Sequence, residues 1–296
     1  MSRYRKWILI AVTIILLICI AFISGGIKRV PTIIFSFGYR VYLPTVLYGW
    51  PILPVKKGVA SSSERCDPKL AVGAKYHRSW WVQTIQCPGI EGIGCVGNAF
   101  IASKVLDGIW ELGTQSEYVL GFNEPEDPEQ ANMTIEEAVP LWHALRTKFP
   151  DRLWVSPSTW TTDNDWLERF YDLYTATYPG EVPFNVVDFH CYENDGQSCI
   201  ERGEYFVGLA QKWEIGEVWC SEFSFWGKDN VENAKQFIDW MDCELLITRY
   251  FWYTDECKPY THWCWVERNL VVWQSDPIQL TELGKMYHDR VLTCSE

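Results

Sequence analysis

The ten residues LGFNEPEDPE, at positions 120–129, place a short apolar segment directly before two polar side chains. The apolar run ends at Phe122, and an amide and a carboxyl follow at Asn123 and Glu124. Pro125 then prevents further strand pairing, because proline has no backbone N–H to donate. Two explanations fit this pattern: a solvated surface loop, or a functional carboxyl at the tip of a buried strand.

The sequence on both sides of this segment alternates between short β-rich runs and longer helical patterns. Eight strands are predicted, at residues 58–60, 73–76, 99–102, 118–121, 153–156, 186–190, 217–221 and 247–252. The clearest helices are predicted at residues 135–149, 166–178, 205–214, 231–243 and 281–292. Strands that alternate with helices favour parallel βαβ units, and eight such units predict an α/β fold of the (β/α)8 TIM-barrel type.

Two acids follow strands of this predicted barrel. Glu124 follows the fourth predicted strand and Glu222 follows the seventh, 98 residues later. That separation is about three βα units, which places the two carboxyls across the barrel mouth from each other. Facing carboxyls suit glycoside hydrolysis, in which one acts as acid and the other as nucleophile or base.

The segment VLGFNEPEDPEQANMTIEEAVPLW resembles the fourth-strand region of glycoside hydrolase family 128, a family of retaining clan A barrels that mostly act within β-1,3-glucan chains. The resemblance continues in order through VDFHCY (187–192), VWCSEF (218–223), RYFWY (249–253) and LTELGKMY (280–287). It implies that Glu124 is the acid/base, that Glu222 is the nucleophile, and that Asn123 hydrogen-bonds the sugar 2-hydroxyl.

The chain departs from the family pattern at three places around the cleft. Cys191 replaces a tryptophan on the sixth strand, YHRSWW (76–81) replaces an aromatic-Asn-Trp pattern, and the predicted third strand AFIASK (99–104) lacks a following tryptophan. These differences leave the two acids intact and put the glycan linkage and the chain length in doubt.

Further cleft residues are expected after the sixth, fifth, seventh and eighth strands. Tyr192 is the candidate donor to Glu222, and His190 is expected either to line the substrate face or to pack as a satisfied barrel histidine. Aromatic rings can bury the apolar faces of sugars, and core packing is the alternative for every tryptophan. The first choices for such platforms are Trp160, Trp226 and Trp252, and the second choices are Trp80, Trp81, Trp263 and Trp265.

The remaining acids near these strands are given structural interpretations. Glu126, Asp127 and Glu129 are interpreted as solvated loop charges. Asp188 is expected to cap or pair within its own strand.

The N-terminus predicts export from the cytoplasm. Residues 7–23 form an apolar run behind Arg3, Arg5 and Lys6, so residues 1–26 are expected to be a membrane anchor or a cleaved signal peptide. Residues 27–56 are interpreted as a membrane-proximal stalk and residues 57–296 as the catalytic domain. The domain is therefore expected outside the cytoplasm, tethered by one transmembrane helix or secreted.

Ten cysteines follow the apolar run, an even number that suits disulfides in an oxidising compartment. The close spacings 87/95, 191/199 and 257/264 are candidate pairs, but the sequence does not fix the connectivity. The sequon at Asn132 predicts surface glycosylation, and Thr134 with Glu137 also forms a capping box for the following helix.

Net charge and missing motifs argue against two classes of ligand as partners of this chain: nucleic acids and cofactors. Residues 58–296 carry 18 basic and 38 acidic residues, a net charge of −20, which disfavours nucleic acid as a partner. The sequence has no C-x-x-C pair and no glycine-rich phosphate loop, so neither a metal nor another cofactor is expected. The expected partner is a polysaccharide substrate, β-glucan, and the chain is expected to act on it as a monomer. The alternatives are a non-catalytic carbohydrate-binding or adhesion protein, and a clan A hydrolase of another β-glycan.

Overall fold

The computed structural model describes residues 55–113, 115–161, 165–227, 230–259, 266–290 and 294. Eight strands run through this part of the chain: β1 Lys57–Ala60, β2 Tyr76–Arg78, β3 Glu91–Ile93, β4 Tyr118–Val119, β5 Leu153–Trp154, β6 Val187–Glu193, β7 Val218–Phe225 and β8 Ile247–Tyr253. The helices in the same residues are α1 Asp67–Ala71, α2 Ala99–Leu106, α3 Ile135–Lys148, α4 Trp166–Thr177, α5 Gly196–Lys212, α6 Asn230–Cys243 and α7 Glu282–Asp289, with a 3-10 turn at Val266–Arg268.

The strands are parallel and surround a common interior. Six of them pair in the order β3-β2-β1-β8-β7-β6, and β1 contacts β8, so the first and last strands are neighbours. The pair β4-β5 completes the ring through parallel bridges from Leu120 to Cys95 and from Val155 to Val186. The predicted α/β barrel is therefore confirmed.

The predicted transmembrane segment lies outside the described residues. Among the helices of the described residues, none combines the length and the apolar character that a bilayer crossing requires.

Two strand predictions were wrong in the first half of the barrel. Residues 99–102 belong to helix α2, which Asn98 caps by accepting a hydrogen bond from the Ile101 N–H. The third strand is instead Glu91–Ile93, three residues including a glycine, which leaves no apolar run to detect. The second strand begins at Tyr76 rather than at residue 73, and this shift brings Arg78 to its C-terminal end.

Helix capping explains where two of the helices begin. Thr134 and Glu137 form the expected capping box at the start of α3. Helix α5 starts nine residues earlier than predicted, because the Asp195 carboxylate accepts from the Ser198 N–H and ends the preceding loop there.

Asn132, the predicted glycosylation site, is exposed in the turn before α3.

The base of the barrel is closed by a stacked cation. Arg249 lies against the rings of Tyr76, Tyr118 and Trp219, with its guanidinium carbon 4.3, 4.6 and 4.5 Å from their centroids. It also pairs with Glu91 at 3.1 Å. This end of the strands carries packing rather than a cluster of acids, in agreement with the general division of labour in TIM barrels.

Three disulfides join described cysteines, and one of the proposed spacings is confirmed. The pairs are Cys66–Cys87, Cys191–Cys199 and Cys243–Cys294. The expected 87/95 pair was wrong, because Cys95 is free and buried. The spacing 257/264 includes a residue outside the described part of the chain.

Candidate active site

The loop after β4 holds Asn123 and Glu124 against the neighbouring strand end. Asn123 forms a parallel bridge with Ser158, and the Glu124 N–H donates to the Ser158 carbonyl at 2.8 Å. Glu124 has a φ of 45°, a left-handed conformation that non-glycine residues seldom adopt and that is often found at functional sites. Gly121 permits this approach, since a Cβ there would lie 2.8 Å from the Ser156 carbonyl oxygen.

Strand β6 places three polar side chains on the inner face of the barrel. Asp188, His190 and Tyr192 occupy alternate positions, whereas Phe189 and Cys191 between them pack outward in the apolar core. The period of two along a strand explains this separation.

Strand β7 departs from that period at Ser221 and Glu222. Its pairing with β8 shifts between Cys220 and Phe223, and its pairing with β6 shifts between Phe189 and His190. This irregularity lets two successive residues, Ser221 and Glu222, contact the polar groups of the interior.

Glu222 lies among three close donors, and His190 Nε2 is a fourth neighbour 3.7 Å from Glu222 Oε1. Arg78 Nη1 lies 2.6 Å from Glu222 Oε1, Trp80 Nε1 donates to the same oxygen at 2.8 Å, and the Tyr192 hydroxyl donates to Oε2. Burial acts to raise the pKa of Glu222, but Arg78, then His190 and the two hydrogen bonds hold the pKa below its usual value. Glu222 is therefore arranged as an ionised carboxylate, and Tyr192 is the donor expected from the sequence.

Glu124 has a different environment, in which the His190 imidazole is its side-chain partner. His190 Nδ1 lies 2.6 Å from Glu124 Oε1, and Arg78 Nη1 lies 3.0 Å from His190 Nε2. Burial acts to lower the pKa of His190, while Glu222 and Glu124 raise it more. Arg78 can only donate, so in the neutral ring Nε2 accepts from Arg78 and Nδ1–H donates to Glu124. His190 is fully buried and contacts Glu124. It does not line the open cleft, which the substrate-binding prediction required, and its contacts fit the alternative of a barrel histidine with satisfied hydrogen bonds.

The two carboxyl groups are close together. One oxygen of Glu124 and one of Glu222 lie within 4.8 Å of each other and of a His190 nitrogen. Three such donors could in principle hold a metal ion, but the Arg78 guanidinium occupies the space beside two of them and would repel a cation. The arrangement suits acid–base and nucleophilic chemistry better than metal binding.

A buried network supports this centre from below. Asp188 accepts from the Ser221 hydroxyl at 2.5 Å, from the Ser158 hydroxyl and from the Ser221 N–H. Burial raises the pKa of Asp188. Asp188 has a structural role, but not the one within its own strand that the sequence predicted: it joins β6 to β7 and to the segment after β5, beneath the two acids.

A cleft of about 620 Å³ opens above the acids. Its lining includes Trp80, Glu124, Trp160, Tyr192, Glu222 and Trp226. The Trp160 side chain is 38% exposed, and the Arg268 guanidinium stacks on Trp226 with its carbon 3.4 Å from the ring centroid. Trp160 and Trp226, two of the three first choices for sugar platforms, therefore line this cleft.

Trp252 is not a platform, and that prediction was wrong. Its side chain is fully buried, packs on Phe223 and donates to the Arg268 carbonyl. The alternation of side chains along β8 directs Trp252 outward, and Tyr253 is the residue that lines the cleft. Trp263 and Trp265 lie outside the described residues.

A second cavity, of about 670 Å³, lies at the opposite end of the barrel beside Tyr76 and Glu91. It contains no facing pair of carboxyls, so we place the chemistry in the cleft that holds Glu124 and Glu222.

Arg78 is the functional residue that the sequence analysis missed. The predicted second strand ended at residue 76, so Arg78 fell two residues beyond it and was given no role. Its guanidinium is fully buried and also donates to Asn123 Oδ1 at 3.0 Å and to the Ser221 hydroxyl at 3.2 Å. A charged residue between two aromatic residues at a strand end was the available signal.

The comparisons with known proteins agree with this geometry. The family model described as glycosyl hydrolase catalytic core matches residues 77–287. That match covers more than half of the sequence, so the chain belongs to the glycosyl hydrolase catalytic core family. A comparison with curated proteins found no significant match.

Several solved structures of glycoside hydrolase family 128 share the fold. A variant of a subgroup I endo-β-1,3-glucanase from Amycolatopsis mediterranei, in complex with laminarihexaose, is 19% identical, with a TM-score of 0.64 over 79% of this chain and 98% of that chain. A subgroup III curdlan-specific exo-β-1,3-glucanase from Blastomyces gilchristii, in complex with glucose, is 20% identical, with a TM-score of 0.61 over 79% and 98%. A subgroup II endo-β-1,3-glucanase from Pseudomonas viridiflava is 23% identical, with a TM-score of 0.61 over 81% and 99%.

Proposed function

We propose that this chain is a retaining glycoside hydrolase that cleaves β-glucan, with β-1,3-glucan as the substrate. The observation that carries the proposal is the pair Glu124 and Glu222, whose nearest oxygens lie within 4.8 Å and whose surroundings differ. Retaining glycosidases hold their two carboxyls about 5–5.5 Å apart, whereas inverting enzymes leave room for a water between them.

In the first step, Glu222 attacks the anomeric carbon while Glu124 gives its proton to the glycosidic oxygen that leaves. Three groups hold Glu222 as a carboxylate, namely Arg78, Trp80 and Tyr192, and they orient both of its oxygens. In the second step, Glu124 accepts a proton from water as that water displaces Glu222 from the sugar.

Asn123 is placed to bind the sugar beside the reacting carbon. Its Oδ1 accepts from Arg78, and its Nδ2 lies 3.3 Å from Gln130 Oε1. The amide group has two N–H bonds, so one remains to donate to a sugar 2-hydroxyl. A hydrogen bond at that position strengthens in the transition state of glycoside cleavage.

The substrate class follows from the cleft and from the relatives. Trp160, Trp226 and Tyr253 give the cleft aromatic surfaces for sugar faces, and the acidic character of the domain favours a neutral glycan. The similar structures are described as β-1,3-glucanases, some with laminari-oligosaccharides bound. Both endo-acting and exo-acting enzymes occur among them, and we assign endo action because the family resemblance favours it.

We also propose that the domain works outside the cytoplasm as a monomer, held by the N-terminal apolar segment or secreted after its removal. The apolar run at residues 7–23 with its basic flank supports this, as do the three disulfides of the described residues. The sequon at the exposed Asn132 supports glycosylation there.

The test is release of reducing ends from laminarin, curdlan, mixed-linkage glucan and cellulose by the full chain in mild detergent. Glu124→Gln and Glu222→Gln should each abolish release, while Glu129→Gln, an exposed acid of the same loop, should not. NMR of the first product should show a retained β-anomer. Glucan binding without hydrolysis in the wild type and both variants would replace the proposal with a carbohydrate-binding function.

A further inference from the structure

Glu126 is more than the solvated loop charge that the sequence predicted. Its side chain is half-buried, and its Oε1 accepts from the Trp160 N–H at 2.8 Å and from the Thr161 N–H at 3.3 Å. Burial raises the pKa of Glu126, although these N–H groups stabilise its charged form. The carboxylate therefore caps the backbone of the loop that carries the Trp160 ring.

The carbonyl group of Trp160 is held as well as its N–H. The Trp160 carbonyl accepts from Arg202 Nη1, and the same nitrogen lies 3.4 Å from the His190 carbonyl. Arg202 also pairs with Glu193 at the end of β6. The backbone of Trp160 is thus fixed by one acid from the β4 loop and one cation from α5.

These contacts matter for Trp160 because its ring receives limited packing. With 38% of the side chain exposed, the ring faces the cleft, and its position depends strongly on the backbone that carries it. Trp219, by contrast, is fully buried and packs against Tyr118, Phe251 and the Arg249 guanidinium.

The same loop also carries the acid that we assign to catalysis. Glu126 lies two residues after Glu124, and the Glu124 N–H donates to Ser158, two residues before Trp160. The β4 and β5 loops are therefore joined at two points, one at the acid and one at the platform. A shift of Trp160 relative to Glu124 requires at least one of these contacts to break.

We propose that Glu126 is a positioning residue that fixes the Trp160 ring relative to Glu124, and that this spacing selects glucan chains long enough to reach both. The inference rests on the proposed function. It names the determinant of chain-length preference, which neither the fold nor the acid pair supplies.

The test compares Glu126→Ala, Glu126→Gln, Trp160→Ala and the double variant, all in the full chain, on laminari-oligosaccharides of increasing length. Glu126→Ala should raise KM for the long oligosaccharides about tenfold, equivalent to ~1.4 kcal/mol, with kcat nearly unchanged. Glu126→Gln keeps an acceptor oxygen and should restore most of the affinity. Glu126→Ala should add nothing when Trp160 is already alanine.

Hydrogen exchange provides a readout that needs no substrate. The Trp160 and Thr161 amides should exchange faster in Glu126→Ala than in the wild type, and Glu129→Ala should leave them unchanged. Unchanged exchange together with unchanged KM would overturn the inference, as would additive effects in the double variant. A wild type inactive on every glucan would instead overturn the proposed function, and with it the substrate role of Glu126, while exchange would still decide whether Glu126 holds the loop.

Discussion

Replacing Arg78 with methionine should destabilise the protein and disturb the nucleophile together. Arg78 Nη1 lies 2.6 Å from Glu222 Oε1 in a fully buried position. At an effective dielectric constant of about 20, such a pair attracts by roughly 6 kcal/mol before the cost of desolvation is subtracted. Removal of one partner of a buried pair typically costs about 3–5 kcal/mol, so we expect that loss of unfolding free energy at neutral pH. The corresponding fall in Tm is roughly 6–20 °C.

The pH dependence gives the sharper measurement. Arg78 stays charged, so the pair exists only while Glu222 is ionised. Because the pKa of Glu222 is lowered in the folded protein, its contribution to stability is present above the unfolded-state pKa and is lost as the pH falls through the folded value. In Arg78→Met, burial acts with less opposition, so the acidic limb of kcat/KM should move to higher pH. The Tm difference from the wild type should shrink in acid.

Arg249→Met is the matched control, assayed by the same thermal melts and the same pH series of kcat/KM. Arg249 is also a stacked and paired cation, but it lies at the base of the barrel beside Glu91. It should lower Tm and leave the acidic limb in place. An acidic limb unmoved by Arg78→Met, or a Tm difference that stays constant from neutral to acid pH, would refute the assignment of Arg78 to Glu222.

Three further outcomes are expected. Tyr192→Phe removes a hydrogen bond to the charged nucleophile and should lower kcat about tenfold to a hundredfold, with KM nearly constant in steady-state assays. Trp160→Ala should raise KM with little change in Tm, whereas Trp252→Ala should cost about 3–5 kcal/mol in urea unfolding and leave KM unchanged; the reverse pattern would contradict their placement. Replacing both Cys191 and Cys199 with serine should lower kcat, because the end of β6 that carries Tyr192 becomes more mobile. An unaltered kcat would show that the disulfide serves stability alone.

The sequence was sufficient for the acids because strand ends in a TIM barrel share one face. Glu124 and Glu222 each follow an apolar run long enough to detect, and the spacing between them corresponds to opposite sides of the mouth. Tyr192 could be predicted as a donor because it shares the inner face of β6 with His190. The positions of these residues needed only chain order and strand spacing, whereas the roles of the two acids came from the family resemblance.

The residues that sequence analysis missed depend on contacts between distant segments. Arg78 ends a strand of three residues, too short to give a periodic signal. The misassignment of Trp252 was an error of one residue, and on a strand one residue moves a side chain to the opposite face. Glu126 looked like its neighbour Glu129, and only the approach of the β5 loop distinguishes a backbone cap from a solvated charge.

The irregular register of β7 affects how distant relatives of this chain should be aligned. Strict alternation would give either Ser221 or Glu222 to the interior, yet both contact it. An alignment that preserves the alternation of apolar residues along the strand can therefore shift Glu222 by one position and still score well. The adjacent pair of a small hydroxyl residue and an acid, following an apolar half-strand, is the more dependable landmark for locating this carboxylate in other genomes.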